Sequence, residues 1–208
     1  MAEESLNDVL GGRRGAIEAS LPPLAFGVGW VAGGSSVLAG VLAALGVGGA
    51  VAVWRLSRGH RPLAVVISLF GVCIAALVVL RTGRAADFFL LQLLTNAASA
   101  LAWLVSIAVR WPLLGVIVGA ALGQRTRWRK DPALVRAYAW GSVVWVMQYV
   151  LRVAVFLPLY AADRVLALTA ARVALTWPLV AACVAVSWWV VRRTLPAGHP
   201  GLRNPVTV

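Results

Sequence analysis

Residues Ala137–Val191 read AYAWGSVVWVMQYVLRVAVFLPLYAADRVLALTAARVALTWPLVAACVAVSWWVV, two long apolar runs joined by the polar corner Tyr160-Ala161-Ala162-Asp163-Arg164. Each run is long enough for a helix to cross a hydrocarbon core about 30 Å thick, so the stretch predicts an antiparallel pair of membrane helices. Each of these helices carries one arginine. Arg152 stands eight residues before Tyr160 and Arg172 eight residues after Arg164, which at 1.5 Å per residue puts both about 12 Å below the corner. A guanidinium at such depth is costly unless anions or dipoles meet it, so an intramembrane arginine marks a candidate functional site.

The rest of the chain agrees with a membrane protein. Of its 208 residues, 61% are hydrophobic and only 12% charged, with a mean hydropathy of +0.86, which excludes an ordinary soluble domain. The net charge of +12 does not point to nucleic acid, because the basic residues sit at the ends of apolar runs and not along one soluble face. Cys73 and Cys183 fall inside apolar spans at different depths and read as packing residues, not a disulfide. The first twenty residues, MAEESLNDVLGGRRGAIEAS, lack the apolar core and small-residue cleavage site of a signal peptide. The first span is therefore expected to act as its own insertion signal.

Six crossings follow from the pattern. The first runs from Arg14 to Gly34; Ser20 could cap a helix starting at Leu21-Pro22-Pro23, but only an extension back through Glu18, with a proline kink, gives a full span. Gly33-Gly34-Ser35-Ser36 turns the chain, and Val37–Trp54 forms the second span, with Gly40, Ala44 and Gly48 as a small-residue ridge for close helix approach. Pro62–Leu80 is the third. Phe88–Ile107 is the fourth, and Gln92, Asn96, Ser99, Trp103 and Ser106 recur along it at steps of three and four, a polar stripe that should face protein. Asn96 lies nine residues below Asp87, about 13 Å down and level with the two arginines.

The segment 111–123 is apolar but short, about 20 Å as a helix. Basic residues decide its reading, since cytoplasmic loops carry the excess of Lys and Arg. Placing 1–14, 55–61, 110–136 and 192–208 inside puts fourteen of the nineteen basic residues in the cytoplasm. A full crossing at 111–123 would break that pattern, so it reads as a re-entrant or interfacial helix with Gly115, Gly119 and Gly123 as its packing ridge. The expected organisation is a flexible cytoplasmic N-terminus (1–13), one transmembrane helical domain (14–193) and a cytoplasmic C-terminal tail (194–208), a multi-pass protein of the cell membrane. Arg125, Arg127, Arg129 and Lys130, with what reads as an interfacial Trp128 among them, are expected to dock on anionic lipid head groups or to act only as a topology signal.

Several chemistries are missing from the sequence. It contains no Walker loop, no dinucleotide fingerprint and no metal-ligand cluster, and His60 and His199 stand far apart in loops. Neither a cofactor nor a metal is expected. What remains is a polar set in the outer half: Gln92 and Asn96 on the fourth span, Gln148 and Arg152 on the fifth crossing, and Arg172, flanked by Thr169 and Thr176, on the sixth. Four readings stay open. Arginine forks match phosphate or carboxylate, so the set could bind an anionic lipid-like ligand through Arg152, Arg172, Asn96, Gln148 and Gln92. Trp103, Trp145 and Trp177 could line a cavity in which Asp87, as the acid, protonates and cyclises a prenylated substrate. The same residues could be a buried hydrogen-bond network in a structural protein. A small transporter would predict inverted repeats with broken helices, and none is convincing here.

A further signal comes from Gly11-Gly-Arg-Arg-Gly15, Arg81-Thr-Gly-Arg-Ala-Ala-Asp-Phe-Phe-Leu90, Asn96, Val109-Arg-Trp-Pro-Leu113, Trp128-Arg-Lys-Asp131, Arg152 through Pro158-Leu-Tyr160, and Ala171-Arg172 with Trp177-Pro178. In order and spacing these stretches resemble DUF3159, a family of actinobacterial integral membrane proteins of unknown function. The second half is more loosely similar in layout to small intracellular-septation membrane proteins. The resemblance implies an all-helical polytopic fold and adds weight to the polar positions, but it implies no activity.

Overall fold

Helices begin and end in this chain where turn residues supply local caps, and the computed structural model places seven α-helices among the described residues. They are α1 (Gly12–Ala32), α2 (Val37–Ser57), α3 (Pro62–Thr82), α4 (Leu90–Ala108), α5 (Leu113–Ala121), α6 (Pro132–Ala161) and α7 (Val165–Thr194). Short 3-10 turns at Ala85–Phe89 and Arg127–Lys130 precede α4 and α6. The structure describes residues 12–59 and 62–206, and no strand occurs among them. Expectations that fell on 1–11, His60, Arg61 and the side chains of Arg13 and Arg14 lie outside the described residues.

Among the described residues five helical stretches are long and apolar enough to cross a membrane: Val37–Ser57, Val65–Thr82, Ala85–Ala108, Pro132–Ala161 and Val165–Thr194. The protein is therefore an all-helical membrane protein. The expected first crossing is not among the five. α1 is a continuous helix of 21 residues with Pro22 and Pro23 inside it, but only Ser20–Ala32 is apolar. Ser20 is thus interior to the helix and not its cap. α5, at nine residues, is only about 14 Å long and too short to cross a core of about 30 Å.

The turns show why the helices stop. At the end of α1, Gly34 and Ser35 both take positive φ (64° and 67°), and the Ser35 N–H donates to the Trp30 carbonyl at 2.8 Å. Ser36 then caps α2, its side chain accepting the Ala39 N–H at 3.4 Å. The corner between α6 and α7 closes in the same way, with Asp163 at φ 52° and the Arg164 N–H donating to the Leu159 carbonyl at 3.0 Å. Arg110 does this after α4, at φ 55°.

The chain divides into two compact units. The first comprises residues up to Leu93 with Val155–Ala174: α1 to α3, the turn before α4, the last residues of α6 and the first of α7. Its centre is aromatic. Phe26 of α1 is fully buried and stacks on Phe88 at 4.1 Å between ring centroids, with Phe89 edge-on to both. The ridge of Gly40, Ala44 and Gly48 is buried, and a Cβ on Gly40 would meet the Phe26 ring at 3.0 Å, so the missing side chain is what lets α1 and α2 touch. Glu18, buried on α1, is met by Arg55 of α2, Nε to Oε2 at 3.2 Å.

The second unit comprises Leu94–Ala154 and Leu175–Val208. Around α5 it packs Trp128, Leu134, Ala137, Tyr138 and Val191, with Leu114, Val118 and Leu202 against them. Two serines supply acceptors to the N–H groups left open at the start of α5: Ser106 of α4 accepts from Leu113 at 3.2 Å and Ser142 of α6 from Leu114 at 3.3 Å.

Candidate functional site

The polar residues singled out from the sequence are distributed over both units. Asn96, Trp103, Trp145, Gln148, Arg152 and Trp177 belong to the second unit; Asp87, Gln92 and Arg172 belong to the first.

In the second unit the organising element is one face of α6. Trp145, Gln148 and Arg152 stand at i, i+3 and i+7 and therefore line up along it. Arg152 is nine residues from Ala161, the end of α6, so it sits about 14 Å down the helix from that end. It is 9% exposed. Its Nη2 donates to the Leu175 carbonyl at 2.8 Å and to the Thr176 carbonyl at 3.3 Å. Those carbonyls are the two after Ala174, whose own carbonyl has no donor four residues on because Pro178 carries no N–H. A proline-loosened turn of α7 thus supplies the dipoles that receive the charge. The arginine Nε finds no hydrogen-bond partner among the described residues.

Gln148, one turn away, is 2% exposed, and neither its Oε1 nor its Nε2 has a partner among the described residues. The indole Nε1 of Trp145 is likewise buried without one. The Trp145 ring itself is occupied: it stacks on Trp103 of α4 at 5.3 Å and 8°. The two rings therefore pack face to face. Trp177 is 36% exposed. On α4, Asn96 is 2% exposed and Ser106 7%, while Leu94, Leu101, Leu104 and Val105 point outward, so the polar stripe does face protein.

In the first unit, Asp87 lies in the short turn before α4 and is 4% exposed. Its Oδ1 accepts the Tyr160 hydroxyl at 2.6 Å, and the Arg84 guanidinium lies 5.3 Å from the Tyr160 ring centroid. Tyr160 is a partner that the spacing of the sequence did not reveal. Gln92 and Arg172 are half-buried, and neither is without an interaction partner.

A third constellation went unread in the sequence. Asp131 caps α6, its Oδ1 accepting the N–H groups of Ala133 at 3.0 Å and Leu134 at 3.2 Å. Its Oδ2 accepts the Val206 N–H at 2.9 Å and pairs with His199 Nε2 at 2.9 Å. Because His199 Nδ1 accepts the Gly201 N–H at 3.0 Å, the ring proton of the neutral histidine must be on Nε2, aimed at the carboxylate. Burial raises the Asp131 pKa, but the bonds from Val206, His199 and Leu134 outweigh it and hold the carboxyl below its ordinary value. Gln124 adds two bonds from its Nε2, to the carbonyls of Leu202 at 2.7 Å and Arg203 at 2.9 Å. The C-terminal segment is thus tied to the loop before α6. The signal available was Asp131-Pro132, an N-cap followed by proline at the first helical position.

The same region corrects the reading of Trp128. It is not interfacial but 1% exposed, edge-on to Tyr138 at 5.5 Å, with its indole N–H donating to the Arg125 carbonyl at 3.1 Å. Gly115 and Gly119 open the groove that it fills. Gly123, expected on that ridge, instead ends α5 at φ 65°. Arg125, Arg127, Arg129 and Lys130 are exposed, and Arg129 lies over the Trp111 ring at 3.8 Å. Among the described residues no group of three or more His, Cys, Asp or Glu could hold a metal ion.

Comparison with known proteins adds one finding. A family model described as a protein of unknown function (DUF3159) matches residues 10–198. No curated protein and no solved structure matches the chain.

Proposed function

We propose that this chain, which belongs to the DUF3159 family, is a membrane-embedded binding protein for the anionic head group of a lipid-like molecule. The head group is received along the α6 face of Trp145, Gln148 and Arg152. The observation that carries this is Gln148, whose amide is buried with both its oxygen and its nitrogen unpartnered among the described residues. A buried donor or acceptor left unsatisfied costs about 1–3 kcal/mol, and leucine would fill the same position without that cost. Retaining an amide there, one turn from a guanidinium with an open Nε, makes sense if a third party completes the hydrogen bonds. Asn96, buried on α4 in the same unit, is a further polar group for orienting that ligand.

The acid-initiated cyclisation of a prenylated chain draws less support, because Asp87 Oδ1 already accepts the Tyr160 hydroxyl and leaves Oδ2 alone to carry a proton. The basic loop residues Arg125, Arg127, Arg129 and Lys130 fit an orientation with both termini in the cytoplasm and anionic head groups of the cell membrane around them.

Native mass spectrometry of the protein purified in mild detergent tests the proposal. The wild type should carry an anionic lipid-like adduct that Gln148→Leu loses, while the ligand-free variant melts at a higher temperature than ligand-free wild type. Identical adducts on both proteins, or none on the wild type, would refute it.

A further inference from the structure

We infer that the ligand's head group is a monoanion that also carries a hydroxyl donor, a hydroxylated phosphodiester or hydroxycarboxylate and not a dianionic phosphate or diphosphate. This deepens the binding reading above and rests on it.

The charge argument comes first. In the second unit, the helical segments 94–108, 113–121, 137–154 and 175–191 contain a single ionisable cation, Arg152, and no carboxylate. Neither the ion pair of Glu18 with Arg55 nor the hydrogen bond between Asp131 and His199 involves Arg152. Its charge is met by two carbonyl dipoles and the face of the Tyr149 ring, 5.8 Å from the guanidinium carbon to the centroid, and none of these carries a full negative charge. A monoanion brought beside it makes the site neutral. A dianion leaves one uncompensated charge in a low-dielectric setting, where an unpaired ion costs several kcal/mol.

The hydrogen-bond inventory supplies the second half. The open groups on the α6 face are three donors (Trp145 Nε1–H, the Gln148 amide N–H groups and Arg152 Nε–H) and one acceptor, Gln148 Oε1. Anion oxygens accept from all three donors. They do nothing for Oε1, which needs a hydroxyl or N–H on the ligand. Gln148 and Arg152 are four residues apart, a rise of about 6 Å, so the hydroxyl belongs to the same head group as the charge and is displaced from it by a few bonds. Gln148 is the reader of that hydroxyl, and Arg152 the reader of the charge.

The experiment is thermal unfolding of the full chain in neutral detergent, titrated with three short-chain lipids and one chain-free head group. Dioctanoyl phosphatidylglycerol carries one charge and hydroxyls. Dioctanoyl phosphatidic acid, at alkaline pH, carries two charges and no head-group hydroxyl. Dioctanoyl phosphatidylcholine is zwitterionic without a hydroxyl. Glycerophosphoglycerol supplies the first head group without chains. The expected result is half-maximal stabilisation by phosphatidylglycerol at a concentration at least tenfold below that for either other lipid. In Gln148→Leu the concentration of phosphatidylglycerol for half-maximal stabilisation should rise about tenfold while those of the two lipids without a head-group hydroxyl change by less than about twofold, with the exposed basic loop unchanged and so serving as an internal control for surface binding. If glycerophosphoglycerol alone reproduces the shift, the assignment stands with a water-soluble source. If phosphatidic acid matches or exceeds phosphatidylglycerol on the wild type, the monoanion assignment is overturned while binding survives. If no probe shifts the transition, the binding reading itself falls.

Discussion

Gly119→Ala is the substitution whose cost the structure specifies most sharply. A Cβ built at Gly119 would stand 2.6 Å from Trp128 Cδ1, 2.7 Å from its Nε1 and 2.9 Å from the Arg125 carbonyl oxygen. Carbon contacts settle near 3.5–4.0 Å, so the indole or the loop must move by roughly 1 Å. The indole has little room, being 1% exposed and packed against Tyr138. Overpacking of this kind costs about 1–3 kcal/mol, and shifting the Arg125 carbonyl also weakens the bond it accepts from the indole, about 1 kcal/mol more. Against these stands the gain of replacing glycine by alanine in a helix, about 1 kcal/mol. The balance is a loss of about 2 kcal/mol, which for a chain of this size lowers the melting temperature by about 4–8 °C. Circular dichroism of the purified protein in detergent measures it. Gly46→Ala is the matched control, because nothing lies within 4 Å of a Cβ there, and that variant should be neutral or more stable. If Gly119→Ala melts with Gly46→Ala, the account of Trp128 as an anchor seated in a glycine groove is wrong.

Other outcomes follow from the same geometry. Since Asp131 is held below its ordinary pKa of 3.8, its contribution to stability is complete above that value and is lost as pH falls through the lower folded-state value; an acid titration of wild type against Asp131→Asn should show this step only in the wild type. Asp131→Asn itself places an amide N–H against the Val206 N–H and His199 Nε2–H, costing about 1.5–3 kcal/mol locally, and hydrogen exchange at residues 199–206 should accelerate. Tyr160→Phe leaves a buried Asp87 oxygen without its donor and should destabilise by about 1–3 kcal/mol; an unchanged melting temperature would show that the pair is not buried as described. Arg110→Gly relieves a left-handed φ of 55° and should raise stability by about 0.5–1 kcal/mol, read as a higher melting temperature.

The legible features are those encoded locally. Apolar runs of helix length, the Gly33–Ser36 turn with Ser36 as cap, and the buried side of α4 marked by Asn96, Trp103 and Ser106 could all be read from neighbouring residues. The pairing of Gln148 with Arg152 on one face was legible for the same reason, since four residues is one helical turn. What escaped depends on contacts between distant segments. Tyr160 meets Asp87 across 73 residues and Val206 meets Asp131 across 75, and no spacing rule links such positions. Trp128 was misplaced for a different reason: flanked by Arg127 and Arg129 it has the composition of an interfacial residue, and only the void left by Gly115 and Gly119 reverses that reading. The unpartnered state of the Gln148 amide is invisible in any sequence, because it is a property of what surrounds the residue.

Arg152 also constrains how the chain is made. α6 leaves the ribosome before α7, so when Arg152 first emerges the carbonyls of Leu175 and Thr176 that receive it are still inside the ribosome. A lone arginine near mid-span costs about 2.5–3.5 kcal/mol to insert by translocon-based scales. The two helices are thus expected to commit to the bilayer as one hairpin, with α6 waiting at the translocon for its partner. Glycosylation mapping of nascent chains would reveal this: chains truncated at Arg164 should insert α6 inefficiently, Arg152→Leu should rescue them, and extension through Val191 should make the rescue unnecessary. Efficient insertion of the truncated wild-type chain would show that the proline-loosened turn of α7 is needed for the finished protein but not for its assembly.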